Sequence, residues 1–295
     1  MSASLKGISQ VLLIENTVTG LIVLFAIMIA SVPLGLVALA SSGIGTGIAL
    51  VSGAEKAVIN QGLFGYNSVL TGLALSLFLS GEKRWGIALA GAAVTVLFTA
   101  ALMHLLKAME VPILTFPYIL LTWSVLLASF GLASIQLSPN LVPQDLSHWK
   151  LQAEGHFEAT ELIEGVGQIY FLENIYSSFL ILIGIFWASW RMGLYAVVGT
   201  VLSSLTAYGL GAGSPSFNSG LYGYNAVLAI MAVTVVFKDR RHNSIPAGIV
   251  AAILTVPLMA SITDVMIPYG LPALTMPFVI VTWLFLSLRK VLPKL

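Results

Sequence analysis

The chain has 295 residues, of which 58% are apolar and 8% are charged, against roughly 25% charged in a soluble globular protein. Twelve acids and thirteen bases leave a net charge of +1, too balanced for a nucleic-acid footprint. The chain has no cysteine, which excludes disulfide frameworks, Cys-based zinc sites and thiol catalysis. A mean hydropathy of +0.98 points to lipid as the solvent and to an all-α polytopic membrane protein.

Met1 to Ser9 is short and weakly charged, and the apolar stretch from Val11 to Ala40 is too long for the core of a signal peptide. A helix needs about 20 apolar residues to cross the hydrocarbon core. Breaks at charges and Gly/Pro clusters give five expected spans, near 10–30, 32–53, 60–80, 85–106 and 114–135. A polar segment from Leu137 to Glu164 follows, carrying Asp145, Glu154, Glu158, Glu161 and Glu164. Five more spans are expected near 166–189, 192–213, 219–237, 244–266 and 271–288.

Lys and Arg concentrate on the cytoplasmic side of membrane proteins. With the N-terminus inside, Lys6, Lys56, Lys107, Arg191, Lys238, Arg240, Arg241, Arg289, Lys290 and Lys294 are cytoplasmic. Only Lys83, Arg84 and Lys150 fall outside. Ten cations against three place both termini in the cytoplasm.

The sequence repeats itself. Gln10-Val-Leu-Leu-Ile-Glu15-Asn16 recurs as Gln168-Ile-Tyr-Phe-Leu-Glu173-Asn174, and Gly62-Leu-Phe-Gly-Tyr-Asn67 recurs as Gly220-Leu-Tyr-Gly-Tyr-Asn225, each shifted by 158 residues. Pro112-Ile-Leu-Thr115-Phe-Pro117 recurs as Pro272-Ala-Leu-Thr275-Met-Pro277, shifted by 160. These matches divide the chain into a first transmembrane repeat (1–135), an extracytoplasmic linker (136–164) and a second repeat (165–295). Five spans per copy is odd, so the second copy is expected upside down. Inverted repeats place a substrate path at their interface near mid-bilayer. A mere scaffold would repeat its apolar packing, whereas the residues repeated here are polar, Gly or Pro, and intramembrane polar groups are expensive unless they serve a purpose.

Pro112 and Pro117 bracket Thr115, as Pro272 and Pro277 bracket Thr275. A proline inside a helix deprives the carbonyl four residues back of its donor, which suggests freed carbonyls beside a threonine hydroxyl, lining a path; an ordinary proline kink is the plainer reading. Gln10 and Gln168 can donate and accept at two depths, though a helix-end glutamine meeting head groups is also common. Glu15-Asn16 and Glu173-Asn174 read as caps of neighbouring helix ends, with a proton relay as the less favoured role. Tyr66 with Leu70, and Tyr224 with Leu228, share a helical face; facing each other, such surfaces form a slot for a thin planar molecule, while interfacial tyrosines are the bland alternative.

Gly43-Ile-Gly-Thr-Gly47 and Gly209-Leu-Gly-Ala-Gly213 lack the lysine of a phosphate loop and read as close helix packing. His104, His148, Glu154, His156 and Glu158 lack the number and spacing of a metal site. Neither metal nor cofactor is expected.

The duplicated Leu271-Pro-Ala-Leu-Thr-Met-Pro-Phe278, with its looser partner Val111-Pro-Ile-Leu-Thr-Phe-Pro-Tyr118, resembles the signature of the urea transporter family. Gly7-Ile-Ser-Gln10-Val and the Gly-Leu-x-Gly-Tyr-Asn segments resemble the same family, and the likeness runs from Gly7 to Trp283. The resemblance implies two inverted five-helix repeats, each with a re-entrant helix, around a central pore, one pore per protomer of a homotrimer in the cell (inner) membrane. It implies that Thr115 and Thr275 are central oxygen donors and that Gln10 and Gln168 flank them. It implies slots at Leu13, Tyr66, Leu70, Phe171, Tyr224 and Leu228, although Tyr stands twice where the family usually has Phe and Leu13 replaces an aromatic. Glu15 and Glu173 stand where the family often has Ser or Asp.

Urea is planar and neutral, with four N–H donors and one carbonyl. A slot strips water from its faces while hydroxyls and carbonyls replace hydrogen bonds along its edge, offsetting roughly 1–3 kcal/mol per dehydrated polar group. The expected activity is passive, channel-like urea transport. Two other readings compete: a pore for ammonia, water or another small neutral amide, and an intramembrane enzyme using Glu15 or Glu173, which lacks a paired nucleophile and base.

Overall fold

The computed structural model describes residues 1–139, 141, 161–212, 221–238 and 244–292. Most of the expected linker, residues 213–220 and the basic stretch 239–243 lie outside the described residues, as do His148, Glu154, His156 and Glu158. The chain divides into two compact units, one formed by Met1–Asp145 with Met266–Pro272 and the other by Leu146–Val265 with Ala273–Leu295.

The first unit begins with α1 (Ser2–Gln10), α2 (Thr17–Ala30) and α3 (Val32–Val51). An expected single span at 10–30 is therefore interrupted, for two local reasons. Leu13 takes a left-handed conformation with φ of 61°, which ends α1. Asn16 then starts α2, its side-chain oxygen accepting from Val18 N at 2.8 Å and Thr19 N at 3.0 Å, which satisfies two orphan N–H groups of the new helix. Between α2 and α3 the break is one extended residue, Ser31, and Pro33 sits in the first turn of α3, where its missing N–H costs nothing. That corner presses Met28 against Gly35: a Cβ there would lie 2.3 Å from Met28 Cγ.

After the short α4 (Lys56–Asn60) come α5 (Gly65–Phe78), α6 (Arg84–Lys107) and α7 (Phe116–Ala128). Helices α5 and α6 are joined through hydroxyls, Thr71 Oγ1 to Thr95 Oγ1 at 2.8 Å and Ser68 Oγ to Ala92 O at 2.8 Å. Small and hydroxyl residues let helix backbones approach where the solvent supplies no hydrophobic drive. Beyond α5, Leu79 bridges Leu137, with Ser80 N donating to Gln136 O at 2.8 Å.

The second unit repeats this plan. Helix α8 (Glu161–Gly167) runs into a 3₁₀ turn, Gln168–Tyr170, and is followed by α9 (Ile175–Ala188) and α10 (Trp190–Gly209). Phe171 has φ of 61°, the value found at Leu13, and Asn174 caps α9 through Ser177 N at 3.0 Å. The two apolar pieces around this turn, 163–170 and 175–188, meet at 87°, where the sequence suggested one continuous span. Then come α11 (Gly223–Met231), α12 (Ser244–Met266) and α13 (Met276–Val291). Helix α11 widens into a π turn over Ala232–Val236, and Arg289 of α13 closes it by donating to Phe237 O at 2.7 Å and Val233 O at 2.9 Å.

Among the described residues, four helices are single apolar rods long enough to cross a bilayer, namely Val32–Val51, Arg84–Lys107, Trp190–Gly209 and Ser244–Tyr269. Their surfaces carry large exposed apolar side chains. On α2 Val18, Leu21, Phe25 and Ile29 face outward, and on α9 the corresponding Tyr176, Phe179, Ile183 and Trp187 do the same. An outward apolar stripe at helical spacing suits lipid rather than water.

Candidate functional site

The residues singled out by duplication gather at two kinds of helix break, each occurring once per unit. The first is the turn after α1 and its counterpart after α8. Here the left-handed residue donates its N–H back to the glutamine carbonyl: Leu13 N to Gln10 O at 2.9 Å and Phe171 N to Gln168 O at 3.0 Å. Gln10 and Leu13 are thus held in one turn, as are Gln168 and Phe171. The Gln10 side-chain carbonyl oxygen is buried and has no hydrogen-bond partner among the described residues, while Gln168 is 8% exposed.

Helix α1 crosses α5 where two glycines meet. A Cβ on Gly65 would lie 3.0 Å from Gly7 Cα, and one on Gly223 would lie 3.1 Å from Gly165 Cα. Both glycine pairs are conditions for that approach, and they bring the glutamine turn and the Tyr-Asn segment into the same neighbourhood of each unit.

The second break precedes α7 and α13. Leu114 and Leu274 adopt φ of 49° and 55°, a conformation that costs a side-chain-bearing residue roughly 1–2 kcal/mol. Thr115 and Thr275 follow as the N-cap residues of the two helices. The strained turns are held from a distance. Tyr66 Oη donates to Leu114 O, and Asn67 Nδ2 donates to the same oxygen at 3.3 Å. In the second unit Tyr224 Oη donates to Leu274 O at 2.7 Å, and Asn225 Nδ2 donates to the same oxygen at 3.3 Å. Asn225 also accepts from Phe278 N at 3.1 Å, which supplies a partner to the first turn of α13. Two buried hydrogen bonds at about 0.5–1.5 kcal/mol each are of the size needed to offset the left-handed leucine.

The prolines act differently from the kink suggested by their spacing. Pro117 and Pro277 fall in the first turn of α7 and α13. There a missing N–H is one of the orphans every helix start possesses, so no helical carbonyl is robbed. Ile113 O and Ala273 O accept from Phe116 N at 3.2 Å and Met276 N at 3.4 Å. The irregular backbone around each threonine comes from the left-handed leucine, with Pro112 and Pro272 just before it.

Thr115 and Thr275 are 1% and 3% exposed, and Leu70 and Leu228 are fully buried on α5 and α11. Tyr66 and Tyr224 are 4% and 6% exposed, with their hydroxyls committed to the leucine carbonyls. Asn67 and Asn225 were legible as duplicated polar residues, but their part in holding the threonine turns was not. The signal available was an amide repeated inside an apolar run, where an unpaired one is costly.

Glu15 does not cap a helix; it forms an ion pair with Lys6 at 2.8 Å, and the capping falls to Asn16. At 24% and 46% side-chain exposure the pair is a surface one of modest worth. Glu173 is exposed as well. Among the described residues no three metal-ligating side chains cluster.

Comparison with known proteins bears directly on these paired breaks. A family model described as urea transporter matches residues 1–290. Urea transporter 1 of Ovis aries is 28% identical over 305 residues, spanning 99% of this chain and 77% of the sheep protein. Urea transporter 1 of Rattus norvegicus is 27% identical over the same length, with the same coverage. A match across nearly the whole chain, through both copies of the Tyr-Asn and Leu-Thr segments, shows that the chain belongs to the urea transporter family.

Proposed function

We propose that the chain conducts urea passively through a pore in each protomer, with Thr115 and Thr275 as central hydrogen-bonding groups and Gln10 and Gln168 flanking them. The observation that carries this reading is the twin Leu-Thr turn. In each unit a buried tyrosine and asparagine fix a strained backbone segment directly before a nearly buried threonine. Strain maintained by distant partners is a mark of functional backbone, and non-helical backbone at membrane depth persists where it is buried in protein or lines a cavity.

The repeats are inverted in this reading, so the two glutamines meet urea at different depths and the threonines lie near the midplane. The Gln10 amide oxygen, lacking a partner within the described residues, is an acceptor suited to a urea N–H. With their hydroxyls engaged, Tyr66 and Tyr224 offer only ring faces to a planar solute, as phenylalanine would; Leu13, Leu70, Phe171 and Leu228 complete the apolar walls. Hydrated cations are rejected in this reading because no ring of carboxylates offsets their dehydration. The protein is a transporter rather than an enzyme, and the Lys6 partner of Glu15 removes what recommended that carboxylate as an acid/base. The protomer assembles as a homotrimer in the cell (inner) membrane with both termini cytoplasmic. The partition into repeats 1–135 and 165–295 with a linker between them belongs to the same proposal.

The test is stopped-flow urea efflux from proteoliposomes. Thr115→Val with Thr275→Val keeps the shape and removes two hydroxyls, at roughly 1–3 kcal/mol for each stranded group, so urea flux should fall about tenfold or more with the melting temperature retained. Unchanged flux would sink the assignment of the threonines. Acetamide, methylurea and water run in parallel separate this reading from a general small-amide or water pore.

A further inference from the structure

One feature of the second unit has no part in a urea path. A cavity of about 410 Å³ opens beside the start of α10, lined by Trp190, Arg191, Leu194, Tyr195, Lys238 and Ser244. Its volume falls within the range of small-ligand pockets, and its walls divide by chemistry. Trp190 and Leu194 are among the exposed apolar side chains of the unit, at 65% and 47%. Arg191 and Lys238 bring two positive charges, and neither pairs with a carboxylate among the described residues. The Arg191 guanidinium lies 5.7 Å from the centre of the Trp190 ring, within cation–π range.

Two long helices begin at this cavity. Trp190 and Arg191 open α10, and Ser244 opens α12, so the positive ends of two helix dipoles converge where an anion would sit. Ser244 supplies the independent sign of a missing ligand. It is 2% exposed, lines the cavity, and its hydroxyl has no hydrogen-bond partner among the described residues. A buried hydroxyl without a partner is costly, and a phosphate oxygen would satisfy it.

The first unit is built differently at the corresponding place. Its equivalents of Trp190 and Arg191 are Val32 and Pro33, and that of Lys238 is Ser80, which is tied to Gln136 O. The duplicated architecture does not require these cations; they are particular to the second copy.

We propose that this cavity binds a phosphate anion, carried by the headgroup of an anionic phospholipid whose chains lie along Trp190 and Leu194. Basic pockets between membrane helices near the cytoplasmic surface hold such headgroups, and the Lys/Arg bias puts this end of the molecule on that side. Arg191 and Lys238 supply the charge, the two helix starts supply dipoles, and Ser244 donates one hydrogen bond.

The experiment uses the full chain in nanodiscs of phosphatidylcholine with phosphatidylglycerol titrated in, and native mass spectrometry counts the lipid retained after release. A second arm titrates inorganic phosphate against the protein in detergent. Phosphatidylglycerol should be retained in preference to phosphatidylcholine, and Arg191→Gln with Lys238→Gln should weaken retention about fivefold for each cation removed. Lys238→Arg should restore most of it, and Ser244→Ala should weaken it further. Both cation positions are exposed, and urea efflux of the double variant from phosphatidylcholine vesicles reports that it is folded. Variant-dependent retention of phosphatidylglycerol supports the lipid source. Variant-dependent binding of inorganic phosphate alone supports the same anion site with a soluble source. Equal behaviour of wild type and double variant in both arms overturns the site.

Discussion

At the scale of single residues, Asn225 ties two parts of the second unit together. Its amide donates to Leu274 O and accepts from Phe278 N, and it is completely buried. Asn225→Ala strands Phe278 N at about 1–3 kcal/mol and leaves Leu274 O to Tyr224 alone, so it should lower the thermal midpoint in detergent clearly. Ser76→Ala is the comparison, since Ser76 Oγ is buried with no partner among the described residues and its removal should cost little. Equal midpoints for the two variants would show that the asparagine does not hold the Leu-Thr turn. The sequence made Asn67 and Asn225 visible only as repeated letters. Their partners lie 47 and 49 residues away, and no local pattern encodes a contact at that distance. Glu15 was misleading for the related reason that its partner, Lys6, precedes the apolar run that made it look intramembrane.

At the scale of elements, the long rods were legible and the broken ones were not. Val32–Val51, Arg84–Lys107, Trp190–Gly209 and Ser244–Met266 sit close to their expected spans because an unbroken apolar run of about 20 residues has few other fates in lipid. The breaks at Leu13, Leu114, Phe171 and Leu274 involve no glycine or proline at the left-handed residue itself, so composition gave no warning of them. Proline spacing pointed to the right neighbourhood with the wrong mechanism, since Pro117 and Pro277 start helices instead of kinking them. The crossing of α1 and α2 depends on Gly20, where a Cβ would lie 2.0 Å from Leu5 O and 2.7 Å from Leu5 C. Backbone cannot step aside as a side chain can, so Gly20→Ala should destabilise the protein by about 1–3 kcal/mol or more. It should also disturb the Gln10 turn that follows α1. Thermal unfolding and urea efflux measured together test this, and a fully stable, fully active variant would refute it.

At the scale of the whole molecule, scarcity of charge is the governing fact. Only 8% of the residues are charged, and the polar groups buried within the units are hydroxyls, amides and carbonyls. Such groups do not titrate, so they carry no proton along with a neutral solute, and the expected transport is downhill. Urea efflux from proteoliposomes should therefore proceed at the same initial rate with and without an imposed proton or sodium gradient, and stop when urea is equal on both sides. Accumulation of urea against its gradient would contradict a passive pore. The repeat was the most informative global feature of the sequence, because it persists in detail that composition cannot convey. Leu13 and Phe171 share a φ of 61°, and Gly53 and Gly211 share a left-handed turn at 74° and 71°.

The hold of Tyr66 on Leu114 also bears on how the protein is made. The two residues are 48 positions apart, so during synthesis at about 5–20 residues per second the tyrosine emerges roughly 2–10 s before its acceptor. In that interval the hydroxyl and the Asn67 amide beside it must find temporary partners at the insertion machinery or within α5 itself. The second unit repeats the delay with Tyr224 and Leu274. Each turn is completed only when its last helix arrives, so a nascent chain halted before α7 would expose a polar pair inside an otherwise apolar segment.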